Sequence, residues 1–242
     1  MDELRQTGAD GFYLESPARV GLVRLEESRG CQSFAPGIEC AFTCHPVLEP
    51  AFLYGGFPMK ELRHKFLMAQ ESRARPLDPE RLPGGPAGCV PARIFFHMVS
   101  FTTRDHVMYL ADCLSTRETR EKCKVNFIYD VAAYLDTLEQ VKAMKASLFV
   151  PSHAPVTENI REPAQYNMDK TTELGETIAG LCKEPGSFEE VLSKLCGLLS
   201  IELNVQRYAL VGSTVRLFLF WLKDQGRLTV WFAGGRMLWR MV

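Results

Sequence analysis

Two stretches decide how this chain is read: VMYLADCLS (107–115) and SLFVPSHAPV (147–156). Each opens with a short apolar run and ends on a potential metal ligand, Asp112 in the first and His153 in the second. The runs 107–111 and 147–150 are rich in β-branched, aromatic and long aliphatic side chains, which predicts two buried strands. Between them, YDVAAYLDTLEQVKAMKAS (129–147) predicts a helix. Asp130 is a good N-cap. Val131, Leu135, Leu138, Val141 and Lys142 recur at steps of three and four, so one apolar stripe is expected to face the sheet. The resulting strand–helix–strand unit puts Asp112 and His153 at carboxyl ends of strands, where open α/β sheets build their sites. A shorter helix is expected from Ser115, because Ser115 and Glu118 form an S-x-x-E capping box.

Toward the N-terminus, RIFFHMVSF (93–101) reads as a strand that turns at 102–105 into 107–111, a β-hairpin. Alternation puts Ile94, Phe96, Met98 and Ser100 on one face and Phe95, His97, Val99 and Phe101 on the other. His106 falls at the turn and is expected to be exposed. PLDPERLPGGPAGCVP (76–91) reads as a linker or surface loop. KELRHKFLMAQ (60–70) reads as helix or strand edge, with His64 solvated between Arg63 and Lys65. LEPAFLYGGFP (48–58) reads as a loop lying over a groove, and PGIECAF (36–42) as a turn followed by a strand or short helix. Cys40, Cys44 and His45 form a C-x-x-x-C-H cluster. Thiolates and imidazole suit zinc, but the spacing matches no strong zinc signature and no second pair follows. Residues 20–28 could form a helix ended by Gly30.

Beyond His153, Ala154-Pro155 keeps the backbone extended, and 168–182 reads as a helix. Glu184-Pro185-Gly186 is a break. Ser187 and Glu190 form a second capping box at the head of SFEEVLSKLCGLLS. Residues 203–210 and 213–224 read as two further helices, and RLTVWF-AGG-RMLWRM as a hairpin. Three helices followed by a hairpin make a winged-helix-like segment, with Trp221, Trp231 and Trp239 as core or interface anchors. Residues 181–242 hold eight Lys or Arg against five Asp or Glu, a slight excess for phosphate binding. The candidate recognition helix STVRLFLFWLKDQ offers only Arg216 and Lys223. Nucleic acid is therefore not the expected partner; this helix is expected to pack on the main domain or on a second subunit.

The 242 residues suit one domain with an appendage or two small domains. An apolar share of 46% is ample for a core, and a net charge of -1 points to no polyanionic partner. The polar opening MDELRQTGAD is not a signal peptide. The longest apolar run, VRLFLFWL, is too short for a membrane span and contains an arginine. Eight cysteines without a C-x-x-C pair point to reduced thiols and a cytoplasmic location.

YLADCLS, the helical segment after it, and FVPSHAPV followed by a polar helix with Asn159 resemble the metallo-β-lactamase-fold hydrolases. PGIECAF, LEPAFLYGGFP and KELRHKFLMA are similar to a bacterial subgroup of that family whose members carry a similar C-terminal tail. The resemblance runs over 31–180 and extends into the tail. It implies an α/β fold, a partial metallo-β-lactamase-like αβ/βα sandwich with a winged-helix-like C-terminal segment. The division it implies is 1–30 as an irregular remnant, 31–182 as the metallo-β-lactamase-like domain and 183–242 as the tail. It implies zinc or another divalent metal, with Asp112 bridging two metals and His153 binding the second. It also implies a small-molecule substrate, an ester, thioester, amide or phosphoester attacked by metal-bound hydroxide.

The sequence departs from the family in its other ligands. A Gly-His pair precedes the bridging Asp in the family; Arg93-Ile94 stands there instead, and His97 lies on the opposite face of that strand. The H-x-H-x-D-H motif is missing. Its remnant is placed at YLESPA (13–18), where only Glu15 could bind a metal. Two ligands fall short of the three or four that zinc sites use. The expectation is a degenerate or N-terminally truncated hydrolase with impaired activity; the alternatives are a non-catalytic scaffold or a nucleic-acid-binding module. A sheet edge left by missing N-terminal strands is expected to favour homo-oligomers.

Overall fold

The computed structural model describes residues 11–13, 32–35, 37–63, 67–68, 71–76, 90–91, 99–102, 106–110 and 112–242. Glu15, the residues 20–28, His64, Ile94 and His97 lie outside the described residues. The chain divides into two compact units: Met1–Leu114 with Lys145–Glu158, and Ser115–Met144 with Asn159–Val242. The boundary expected at residue 182 falls inside the second unit.

In the first unit, β1 (Gly11–Tyr13), β2 (Gln32–Ala35) and β3 (Arg75–Pro76) form a parallel sheet in that order. Gly11–Tyr13, expected to be irregular, pairs residue for residue with Gln32, Ser33 and Phe34. Helix α1 (Gly37–Cys44) follows β2, resolving the strand-or-helix ambiguity there in favour of helix. The stretch expected as a loop contains helix α2 (Leu48–Tyr54). Pro50 sits in its first turn, where a missing N–H costs nothing. Gly55 closes it at φ 86°, a left-handed conformation that glycine adopts without a side-chain clash. Lys60–Leu62 is a single 3-10 turn.

The second sheet of this unit orders β4 (Val90–Pro91), β5 (Val99–Thr102), β6 (Val107–Leu110) and β7 (Leu148–Pro151). Val90-Pro91, read from sequence as the end of a linker, pairs antiparallel with Ser100 and Val99. Proline suits this edge position, where a missing N–H breaks no ladder. The expected hairpin is present: Phe101 pairs with Tyr109 and Thr102 with Met108. The two strands of the expected strand–helix–strand unit are also present, but the helix between them, whose stripe was expected to face this sheet, belongs to the second unit and packs on helices there. β6 and β7 are parallel neighbours, with Val107 beside Leu148 and Leu110 beside Pro151. Met108, Leu110, Phe149 and Pro151 are buried on one face, as a period of two requires.

The second unit opens with α3 (Arg117–Cys123) and α4 (Val131–Ala143). The cap of α3 lies one residue later than expected. Thr116 accepts from the backbone N–H of Thr119 at 3.1 Å, while the Ser115 hydroxyl accepts from Asn126 at 2.8 Å. Asp130 caps α4 as expected, accepting from the N–H of Ala133 at 2.9 Å. Its buried stripe is Val131, Tyr134, Thr137, Leu138 and Val141, so Tyr134 rather than Leu135 completes the apolar face. That helix packs on α5 (Arg161–Leu181) and α7 (Val205–Asp224). α5 begins earlier than the 168–182 expected, because Asn159 accepts from the Arg161 N–H and Pro163 fits a first turn.

After α5 come β8 (Gly186–Ser187), α6 (Phe188–Leu199), α7, β9 (Leu228–Ala233) and β10 (Arg236–Met241). The Ser187–Glu190 capping box is complete. The two helices expected at 203–210 and 213–224 are one continuous helix, α7. Gly212 does not break it. A side-chain carbon there would lie 3.4 Å from the Phe188 ring, so glycine makes room for α6. β8, β10 and β9 form an antiparallel sheet in that order. Val191, Leu192 and Leu195 of α6 and Val215, Phe218, Leu219 and Leu222 of α7 are buried, each contributing roughly 1.5–3 kcal/mol. Among the described residues, no helix is long and apolar enough to cross a membrane.

Candidate functional site

Asp112 and His153 meet. The Nε2 of His153 lies 3.2 Å from Oδ1 of Asp112, with side-chain exposures of 61% and 20% respectively. Sheet register brings them together. β6 and β7 end side by side, and the N–H of Ser152 donates to the Leu110 carbonyl at 3.1 Å, pinning the two strand ends. The chain then doubles back, and Phe149 and Thr157 exchange backbone hydrogen bonds of 2.8 and 3.0 Å. His153 is thus held in a short closed loop directly beside the turn that carries Asp112.

The remaining candidates are placed elsewhere or are chemically unsuited. His106 precedes β6, at the opposite end of this four-residue strand from Asp112. Cys113 adjoins Asp112 but is buried, and burial, with the Asp112 charge adding to it, pushes its thiol up to about 12. It stays protonated at neutral pH and offers no thiolate as nucleophile or ligand. Cys40 and Cys44 both point at one acceptor, the Ala74 carbonyl, at 3.5 and 3.4 Å, while His45 is exposed.

Two ligands of one tetrahedral zinc would stand roughly 3.3 Å apart, given bonds near 2.0–2.1 Å. The Asp112–His153 separation therefore suits either a hydrogen bond or a shared metal, and the number of donors must decide. Among the described residues, no group of three or more His, Cys, Asp or Glu is placed to hold a metal ion. The described residues thus do not fit the metal that the resemblance implies. The two side chains lie at ion-pair distance.

Solved structures with the same fold are similar to this chain at low identity. A metallo-β-lactamase family protein from Thermus thermophilus matches with a TM-score of 0.66 and 13% identity, over 98% of this chain and 81% of that one. A β-lactamase domain protein from Burkholderia ambifaria matches with a TM-score of 0.69 and 16% identity, over 96% of this chain and 75% of that one. The fold is that of the metallo-β-lactamases. No protein-family model matches the sequence, and no curated protein sequence matches it.

Sequence reasoning missed the polar centre of the second unit. Arg120 is buried and donates from Nε to Oδ1 of Asn167 at 3.2 Å, and from one terminal nitrogen to Tyr134 and Thr171, each at 3.3 Å. The Asn167 amide also donates to the carbonyls of Ser115 and Pro163, both at 3.0 Å, and accepts from the Ser115 N–H at 3.2 Å. The signal was present: Asn167 and Thr171 sit at helical spacing in the same stripe as Ala164, Leu174 and Ile178. Polar residues on an apolar stripe are buried and must find partners.

Proposed function

We propose that the chain is a metallo-β-lactamase-fold hydrolase in which metal-dependent cleavage of an ester, thioester or phosphoester is impaired. Asp112 and His153 survive from the family's ligand set as a close pair at two neighbouring strand ends. The observation that supports this reading is their 3.2 Å contact at two strand ends, in a sequence without the H-x-H-x-D-H motif. The site still lies at the carboxyl ends of the strands, and the exposed imidazole leaves it open to a small molecule.

Elemental mass spectrometry of the purified wild type and of a double variant, Asp112→Ala with His153→Ala, tests this. Metal well below one equivalent in both, and ester and phosphodiester hydrolysis no faster than buffer with added zinc or manganese, is the expected result. Near-stoichiometric metal that is lost in the double variant would overturn it.

A second reading is favoured by the order α5–β8–α6–α7–β9–β10 with its three-stranded sheet, which we read as a winged-helix-like segment serving protein contact. Several of its cations are already engaged. Arg227 makes a bidentate pair with Glu176 at 2.8 and 2.7 Å, Arg236 lies 3.5 Å from Glu190, and Arg216 stacks over the Phe188 ring at 3.8 Å. Cations held this way offer few free charges to phosphates. Fluorescence anisotropy with a labelled DNA duplex and a single-stranded RNA at low salt should show no binding; salt-sensitive binding would restore the nucleic-acid reading. We place the protein in the cytoplasm on its cysteine usage; among the described residues, Cys40, Cys44, Cys113, Cys123, Cys182 and Cys196 form no disulfide.

A further inference from the structure

Among the described residues, β9 forms one edge of its sheet, since the order is β8-β10-β9. Natural edge strands are usually blunted by a charge, a proline or a bulge. β9 reads LTVWFA and has none of these, and its pairing with β10 runs unbroken from Leu228 to Ala233. In an antiparallel ladder a residue's N–H and C=O point to the same side, and the side alternates along the strand. The N–H of Val242 donates to the Arg227 carbonyl at 3.1 Å, on the β10 side. The backbones of Thr229, Trp231 and Ala233 therefore also aim at β10, and those of Leu228, Val230 and Phe232 aim outward.

The side chains of these three residues share one face with their cross-strand partners Met241, Trp239 and Met237. At one end that face is closed: Leu228 and Trp239 are buried, and the Trp239 ring lies 5.8 Å from Phe220. At the hairpin tip it is open, with Phe232 72% and Met237 40% exposed.

We propose that β9 pairs antiparallel with β9 of a second copy of this chain, about a two-fold axis through Val230. A two-fold normal to the sheet pairs residues of the same face, so the outward-aimed residues must meet one another. Centring on Val230 is the register that engages all three. Leu228 then faces Phe232 of the second copy, Val230 faces Val230, and Phe232 faces Leu228, each pair exchanging two hydrogen bonds. The exposed Phe232 ring is carried from the tip of its own hairpin onto the closed, apolar end of the other. Charge is compatible with self-pairing. The strand carries no charged side chain, and Arg227 at its start is neutralised by Glu176, so no like charges are opposed. The proposal is independent of the reading of Asp112 and His153.

Sedimentation velocity and light scattering over a concentration series, with the full chain, provide the test. The expected result is reversible association toward twice the 27.3 kDa chain mass. Val230→Pro removes an outward N–H and leaves the ladder to β10 intact, so it should weaken association at least about tenfold without loss of near-ultraviolet dichroism. Phe232→Glu, at an exposed position, should act in the same direction. Residue-resolved hydrogen exchange should protect the amides of Leu228, Val230 and Phe232 only as the dimer forms, while those of Thr229, Trp231 and Ala233 are protected throughout. A monomer at every concentration, or a dimer that both variants leave unchanged, would overturn the pairing.

Discussion

His153 and Asp112, which follow the two strands of one strand–helix–strand crossover, stand 3.2 Å apart and close the ends of β6 and β7. The imidazole is largely exposed, so solvent screens the pair. His153→Ala is expected to change stability by no more than about 1 kcal/mol. Urea unfolding of wild type and variant, read by tryptophan emission, measures this. A loss of several kcal/mol would mean that the pair holds far more of the first unit together than a surface contact can.

Arg120 is different, because its guanidinium is buried and three side chains depend on it. Arg120→Met should destabilise the second unit by about 3–5 kcal/mol, since Asn167, Tyr134 and Thr171 would lose a buried donor together. Arg120→Lys should recover only part, because an ammonium cannot reach three acceptors in the guanidinium's planar arrangement. The same unfolding measurement on both variants checks the order.

Gly175 on α5 marks a close approach to α7. A side-chain carbon there would lie 3.0 Å from the Trp221 ring and 3.6 Å from Phe218. Gly175→Leu should cost about 1–3 kcal/mol by overpacking and shift the Trp221 emission. Gly175→Ala should do less harm, because better helix propensity offsets part of the contact by about 1 kcal/mol.

The capping box of α6 sets an acid limit. Glu190 accepts from the backbone N–H of Ser187 at 2.7 Å, and that bond holds its carboxyl below the ordinary value of 4.5. A carboxylate with a lowered folded value contributes stability that is full above its unfolded value and is lost as pH falls through the folded one. The stability difference between wild type and Glu190→Gln should therefore be present at neutral pH and shrink as pH falls below about 4.5. Arg227 lowers Glu176 in the same direction. Unfolding curves across that range check the sign.

The central unit of the fold was legible because each of its signals was local. β-branched runs marked β6 and β7, Asp130 marked the start of α4, and Ser187 with Glu190 marked α6. That Asp112 and His153 both stand just past a strand was legible as well; their contact was not, because it depends on the register of β6 and β7. What was not legible depended on partners distant in sequence. Gly212 looked like a break until Phe188 was found packed against it. Pro50 and the Gly55-Gly56 pair suggested a loop, yet both are compatible with a short helix when the proline is in the first turn and the glycine at the end. Ser115 lost its expected capping role because Asn126 and Asn167 take up its hydroxyl and backbone.

The Arg120 seam also divides the second unit by its response to acid. Its partners are an amide, a phenol and an alcohol, with no carboxylate among these hydrogen bonds. Carboxylates of the unit that pair with arginine sit at its rim: Glu162 with Arg117, Glu176 with Arg227 and Glu190 with Arg236. Mild acid should therefore loosen the helix ends and the hairpin first and leave the seam between α3, α4 and α5 standing. Such a unit would come apart from the outside inward, with its last ordered remnant centred on Asn167.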